Sequence, residues 1–373
     1  MRWMTSLDGE QHMKYVDEYR NGRHIARLAE MISREVSREY VFMEVCGGHT
    51  AAIHRFGIPS LLPPQVRLIS GPGCPVCVTP ASYIDMLVAL AAGGEVTIAM
   101  FGDLMRVPGT MVTPAAARAA GADIRVVLSA GDALELASSE RKRNVIFPAI
   151  GFETTAPGTA VTLTEALKRD VKNFFVLNAH KVMPPAMEML LREGTTIDGF
   201  ICPGHVAVVT GSSAFDFIPR RYGLACVVTG FEPADLMLAV LMLVRQVNSR
   251  SPRVETEYRR AVTPEGNSRA RGYMDEVFEP GDAEWRGLGV IPNGGLTIRE
   301  KYRRFDAGDR FSFDLPEPEH ESGCRCGEIL RGVITPADCP LFAAACTPDS
   351  PGGACMVSDE GACNTWYKYH IHE

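Results

Sequence analysis

No apolar run in this sequence approaches the roughly 20 residues needed to cross a bilayer; the longest, Leu236–Val244, falls well short. Basic charge is not in excess either. Lys and Arg number 38 against 45 Asp and Glu in 373 residues, a formal net charge of −7, and there are only three Trp. Such a balance gives no electrostatic reason to expect nucleic acid or an anionic membrane surface as a partner. The opening segment carries Asp8, Glu10, Lys14, Asp17 and Glu18 with no continuous apolar core, so it does not read as a secretory signal. No Gly-x-x-x-x-Gly-Lys-Ser/Thr run and no Gly-x-Gly-x-x-Gly after a strand occurs, which leaves a nucleotide enzyme unsupported. The expectation is a cytoplasmic chain without nucleic-acid or membrane partners.

What the sequence does hold is apolar residues, at 46%, and cysteine. The first excludes disorder, and the length suits two or three domains, each able to bury a core without disulfide staples. Of the 11 cysteines, six (Cys324, Cys326, Cys339, Cys346, Cys355 and Cys363) fall in the last fifty residues. In a reducing cytosol, thiols grouped in this way point to metal ligation or redox chemistry before structural disulfides. The tail around them has Pro and Gly but almost no periodicity, so a bound metal centre would supply stability that apolar burial cannot.

Hydrophobic period divides the chain. An amphipathic helical pattern covers about 11–38. Short buried runs, Val41–Val45, Val66–Ser70, Val96–Phe101 and Arg125–Leu128, then alternate with helices near 80–92, 113–121 and 131–139. A second round has strands Val145–Ile150, Phe174–Asn178, Gly199–Cys202 and Ala225–Val228, with helices near 157–169, 184–193 and 233–248. This rhythm predicts an α/β protein of two doubly wound, Rossmann-like α/β/α units, and the thiol-rich tail adds the expectation of a smaller C-terminal iron–sulfur domain. In chain order the division is an N-terminal helical segment (1–40) packing on the C-terminal domain, a first α/β domain (41–140), a second (141–248) and a cluster domain (249–373). Gly151-Phe152-Glu153 finds a faint echo in Gly230-Phe231-Glu232, each after a strand.

Several strand-end loops carry chemistry, where ligands of open α/β sheets sit. Cys46-Gly47-Gly48-His49-Thr50 follows the first strand; its glycines permit close approach, and His49 is near enough to lower the thiol pKa or donate to a bound group. Ser70-Gly71-Pro72-Gly73-Cys74-Pro75-Val76-Cys77 follows the second. Its Cys-x-x-Cys spacing allows a small-ring disulfide or two ligands to one zinc, and a helix starting near Cys77 would favour a thiolate. Gly151-Phe152-Glu153-Thr154-Thr155 and Cys202-Pro203-Gly204-His205 follow later strands. If they close a cleft opposite Cys46, Glu153 and His205 offer a base, an acid or hydrogen bonds to a small polar ligand; the blander alternative is that a threonine caps the next helix and His205 is a turn residue. Asn178-Ala179-His180-Lys181 is a weaker candidate of this kind. His370 and His372 read as solvated tail. In the tail, gaps of fourteen, six and sixteen residues separate Cys324, Cys339, Cys346 and Cys363, a set suited to a [4Fe–4S] cluster or, as the alternative, zinc. Cys326 and Cys355 are left over, a possible redox pair.

Taken together, Cys46 to Thr50, Gly71 to Cys77, Gly151 to Thr155, Pro203-Gly204-His205 and the four tail thiols resemble the HypD family of [NiFe]-hydrogenase maturation proteins along essentially the whole chain. The resemblance implies a metallocentre-assembly scaffold with redox activity, on which the Fe(CN)2CO unit of the hydrogenase is built. It implies a small HypC-type chaperone and a HypE-type cyanide donor as partners, and the hydrogenase large subunit as indirect recipient. It also implies that Cys46 holds the transiently bound iron with its cyanide and carbonyl ligands, that Cys74 and Cys77 pass electrons, and that Cys324, Cys339, Cys346 and Cys363 hold the [4Fe–4S] cluster. His49 and His205 are the candidates to hydrogen-bond the cyanide nitrogens. The competing reading is an iron–sulfur thiol–disulfide oxidoreductase of the ferredoxin:thioredoxin reductase type, which leaves Cys46 without a task.

Overall fold

In the computed structural model, residues 17–194, 196–313 and 323–370 are described. Eleven strands occur in them: β1 (Tyr40–Glu44), β2 (Val66–Ser70), β3 (Val96–Met100), β4 (Ile124–Val126), β5 (Asn144–Ala149), β6 (Phe174–Asn178), β7 (Gly199–Pro203), β8 (Ala225–Thr229), β9 (Val254–Thr256), β10 (Phe278–Trp285) and β11 (Gly289–Ile298). The first nine build two parallel sheets, ordered β2-β1-β7-β8-β9 and β4-β3-β5-β6. Every residue of β3, β7 and β8 is buried, as continuous apolar runs in a parallel sheet covered on both faces must be.

The pairing corrects the expected division in chain order. β1 and β2 do not share a sheet with β3 and β4; β1 hydrogen-bonds to β7, with Phe42 opposite Gly199. The chain leaves the first sheet after β2, builds the whole second sheet, and returns. Boundaries at 140 and 248 therefore cut through sheets. Periodicity reveals that a segment is a strand, but its neighbour is chosen by which apolar faces fit together.

The main helices are α1 (Gly22–Glu35), α2 (Gly47–Arg55), α3 (Ala81–Ala92), α4 (Ala130–Ser139), α5 (Ala156–Lys168), α6 (Met183–Arg192), α7 (Pro233–Asn248), α8 (Ser268–Val277) and α9 (Ala362–His370). Asn21 caps α1 by accepting from the Arg23 and His24 amides at 3.0 and 3.2 Å. Leu28 and Ile32 of α1 share a core with Leu236, Val240 and Val244 of α7. The N-terminal helix thus covers the first sheet instead of the C-terminal region. Residues 11–16 of the predicted helical pattern lie outside the described residues. No described helix is long and apolar enough to cross a membrane.

The stretch 249–373 is likewise not one domain. β9 joins the first sheet, α8 packs on α5, and the antiparallel hairpin β10–β11 lies against α6 and the end of β6. The Val182 amide donates to the Gly294 carbonyl at 3.0 Å and the Leu296 amide to the His180 carbonyl at 3.1 Å. Residues 323–370 alone form the thiol-bearing lobe, whose α9 packs on α2.

Candidate functional site

Cys46 ends the run that begins in β1 and forms the N-cap of α2, half-buried. Its amide donates to Glu44 Oε2 at 3.0 Å, and the Thr50 hydroxyl donates to Glu44 Oε1 at 2.5 Å. Burial raises the Glu44 carboxyl to about 7. The Cys46 thiol is pushed up to about 12, by burial first and by Glu360 and Glu44 beside it, against the opposing help of the α2 amides. The thiol therefore keeps its proton at neutral pH.

The dithiol loop packs directly on the backbone of Cys46. The Gly47 amide donates to the Gly73 carbonyl at 2.9 Å. A Cβ at Gly73 would lie 2.2 Å from the Cys46 nitrogen, so only glycine lets the two loops meet. Cys74 and Cys77 are joined in a disulfide and both are buried. No helix starts near Cys77: α3 begins at Ala81 after a turn, so a helix dipole does not support a thiolate there.

His49 takes a different part from the one its position indicates. Its Nε2 faces the Gly230 and Thr229 carbonyls at 3.0 and 3.3 Å, and burial lowers its pKa to about 4. A neutral ring with Nε2–H bonded to carbonyls has only the Nδ1 lone pair to offer, and that atom is buried without a partner. His49 is thus an acceptor and cannot donate to a cyanide nitrogen. His205 is exposed and its ring stacks on Phe231 with centroids 3.9 Å apart, while the His49 ring lies 4.6 Å from the same Phe231 ring. Phe231 belongs to the echo of Gly151-Phe152-Glu153, the one signal that marked it.

Glu153 stands elsewhere. It follows β5 in the second sheet, where its Oε1 accepts from the Met183 amide at 3.0 Å and so caps α6. Among the described residues no hydrogen bond or ion pair joins it to Cys46, His49 or His205. Burial raises it to about 7 and leaves Oε2 without a partner. Beside it, Lys181 Nζ donates to the Glu284 carbonyl at 2.6 Å, and His180 Nε2 lies 2.9 Å from the Thr159 hydroxyl. His370 is not solvated tail: its Nε2 sits 2.7 Å from His54 Nδ1, which pins α9 to α2. His372 lies outside the described residues.

The tail thiols converge. Cys324, Cys346 and Cys339 each add to the elevation of the Cys363 thiol, which burial dominates, and Cys324 and Cys339 do the same at Cys346. Gly352 donates to Cys346 Sγ at 3.2 Å, and a Cβ at Gly353 would meet Cys324 Sγ at 2.9 Å. Cys355 is buried and also feels Cys363 and Cys324. One continuous core holds Cys74, Cys77, Cys339, Cys346, Cys355 and Cys363, and Cys77 Sγ lies 4.0 Å from the Ala354 carbonyl. Among the described residues, no three His, Cys, Asp or Glu side chains are arranged around a single metal ion. A cubane places each thiolate on a different iron, so its sulfurs stand further apart than ligands of one ion, and a set of four soft donors fits it by chemistry. Sequence reasoning missed Glu360, whose Cβ lies within 2.5 Å of where a side chain on Gly47 would begin. It lines a cleft of about 390 Å³ with Pro75, Val76, Asp103 and Arg106, between the dithiol loop and the tail lobe.

The family model HypD, described as "Hydrogenase formation hypA family", matches residues 23–370. This chain belongs to the HypD family. It is 48% identical over 367 residues to the hydrogenase maturation factor HypD of Azotobacter vinelandii, covering 96% of this chain and 97% of that one. The factor of the same description from Cupriavidus necator is 48% identical over 369 residues, covering 96% and 97%. That of Escherichia coli is 45% identical over 373 residues, covering 97% and 99%. A HypD family chain is a hydrogenase maturation factor.

Proposed function

We propose that this maturation factor carries iron as cargo on Cys46 while cyanide and carbonyl ligands are installed, and that the Cys74–Cys77 dithiol and the tail lobe handle the electrons. The observation that carries this reading is the contact of the two loops through Gly73: a half-buried single thiol and a redox-capable pair sit back to back, and the pair runs on into the lobe where the other thiols converge. Cys324, Cys339, Cys346 and Cys363 would hold a [4Fe–4S] cluster, which supplies electrons one at a time. Closing the Cys74–Cys77 disulfide releases two electrons and two protons; opening it takes up the same.

The chain's own residues divide the remaining work. Cys46 gives up its proton on binding iron, and Glu44, raised to about 7 and bonded to the Cys46 amide, is the group we assign to take it. His205 donates to the negative end of a bound diatomic ligand, and the Phe231 ring behind it keeps water from that side. A HypC-type chaperone would complete the iron's coordination from the open side of Cys46, a HypE-type protein would deliver cyanide there, and the finished unit would pass to the hydrogenase large subunit.

The test is Cys46→Ser in anaerobically purified full-length protein. Iron–cyanide infrared bands are expected to vanish while the [4Fe–4S] absorption, at about four iron per chain, is retained. Undiminished iron–cyanide bands in that variant would overturn the role of Cys46 and favour the thiol–disulfide oxidoreductase.

A further inference from the structure

The turn joining β10 to β11 carries a cation that the reading above does not use. The Arg286 amide donates to the Val78 carbonyl at 2.8 Å, its Nε to the Thr79 carbonyl at 2.7 Å, and its Nη2 to the Pro108 carbonyl at 3.2 Å. Val78 and Thr79 directly follow Cys77. On the other side, Gly287 lies backbone to backbone on Gly327, the residue after Cys326: with φ +76°, a Cβ there would stand 2.7 Å from the Gly327 Cα. The hairpin tip is therefore wedged between the two cysteine-bearing segments.

Arg286 forms no ion pair with a carboxylate among the described residues. The groups whose negative charge would bear on it most are the thiols of Cys326, then Cys355 and Cys324, with the Asp85 carboxylate after them. A guanidinium largely withdrawn from water and bonded to neutral carbonyls is costly, and negative charge gathered on the adjoining thiol lobe, together with Asp85, would offset that cost.

We propose that Arg286 is a positioning residue that ties the dithiol loop to the thiol lobe and supplies the positive charge against which that lobe holds an added electron. This rests on the reading of the lobe as the seat of a [4Fe–4S] cluster. The disulfide–dithiol couple takes up two protons with its two electrons and gains no net charge, whereas a cluster gains one negative charge per electron. The charge of Arg286 therefore acts on the cluster and its hydrogen bonds act on the loop.

Full-length wild type, Arg286→Gln and Arg286→Lys, reconstituted anaerobically with iron and sulfide, are titrated with dithionite and followed by electron paramagnetic resonance. Arg286→Gln is expected to shift the reduction equilibrium at least about tenfold toward the oxidised cluster, a midpoint lower by about 59 mV for one electron. Arg286→Lys keeps the charge and is expected to stay near the wild-type midpoint. A wild-type midpoint in Arg286→Gln overturns the electrostatic half of the proposal. In the metal-free chains, hydrogen exchange in 76–80 and 324–330 should quicken together in both variants, by about tenfold for a lost local tether. Unchanged exchange overturns the positioning half. Should Arg286→Gln fail to fold, Arg286→Lys decides the matter: wild-type exchange in it, or a midpoint lowered as far as loss of charge would lower it, overturns the proposal. If the wild type takes up no cluster, the metal reading falls, and exchange alone decides whether Arg286 joins the two segments.

Discussion

Glu153 and His49 are both shut away from solvent, and each keeps one polar atom without a partner: Oε2 in the first, Nδ1 in the second. Burial moves them in opposite directions because it disfavours charge of either sign. For Glu153 the consequence is measurable. Its folded-state pKa of about 7 lies above the ordinary 4.5, so between those values the folded chain holds a proton that the unfolded chain has lost. The contribution is fully present below pH 4.5 and is lost as pH rises through 7, a difference on the order of 3 kcal/mol. Glu153→Gln keeps an oxygen for the Met183 amide and cannot ionise. Denaturant unfolding at pH 5 and pH 7 should show wild type losing stability relative to this variant on going to the higher pH; parallel behaviour of the two would refute the assignment. The residue types in Gly151 to Thr155 were legible as a strand-end motif, but not that Glu153 caps α6, since Met183 is remote in the chain and meets it only through the packing of β6 beside β5.

At the level of elements, the sequence reading locates strands and helices closely. The predicted Val66–Ser70 and Phe174–Asn178 coincide with β2 and β6, and helix 233–248 coincides with α7. Apart from the tail thiols, the main chemical motifs fall at strands' carboxyl ends, where β1, β2, β5 and β7 stop. The meeting of the β1 and β2 loops is a property of their adjacency in the sheet, with Glu44 opposite Ser70. Gly73→Ala places a methyl carbon against the Cys46 backbone. We expect it to cost about 1–3 kcal/mol, as overpacking does, and to change the rate at which iodoacetamide alkylates Cys46, while Gly94→Ala, on a turn with open space around it, leaves that rate alone. Equal alkylation rates in wild type and Gly73→Ala would mean that the two loops do not constrain each other.

For the molecule as a whole, the insertion of one sheet unit within the other decides what folds independently. A fragment 41–140 contains β1 and β2 without β7, and β3 and β4 without β5. It is expected to show no cooperative thermal transition by circular dichroism, whereas 80–194 contains all four strands of the second sheet and should retain secondary structure. A cooperative melt of 41–140 would contradict the strand order. The tail lobe adds a third level of organisation: α9 on α2 and Cys77 against Ala354 place residues from both ends of the chain around the Cys46 and dithiol loops.

Hydrophobic period, glycine-flanked cysteines and their spacing are local quantities, and from them come the α/β class, the element types and the reactive loops. Which strands become neighbours, that Glu153 serves α6 and not Cys46, that His49 turns its donor toward Gly230, and that Arg286 bridges Val78 and the Cys326 turn all depend on contacts between residues far apart in the chain. Such contacts are selected by how apolar faces fit and by where buried polar groups find partners, and neither is encoded in any single segment.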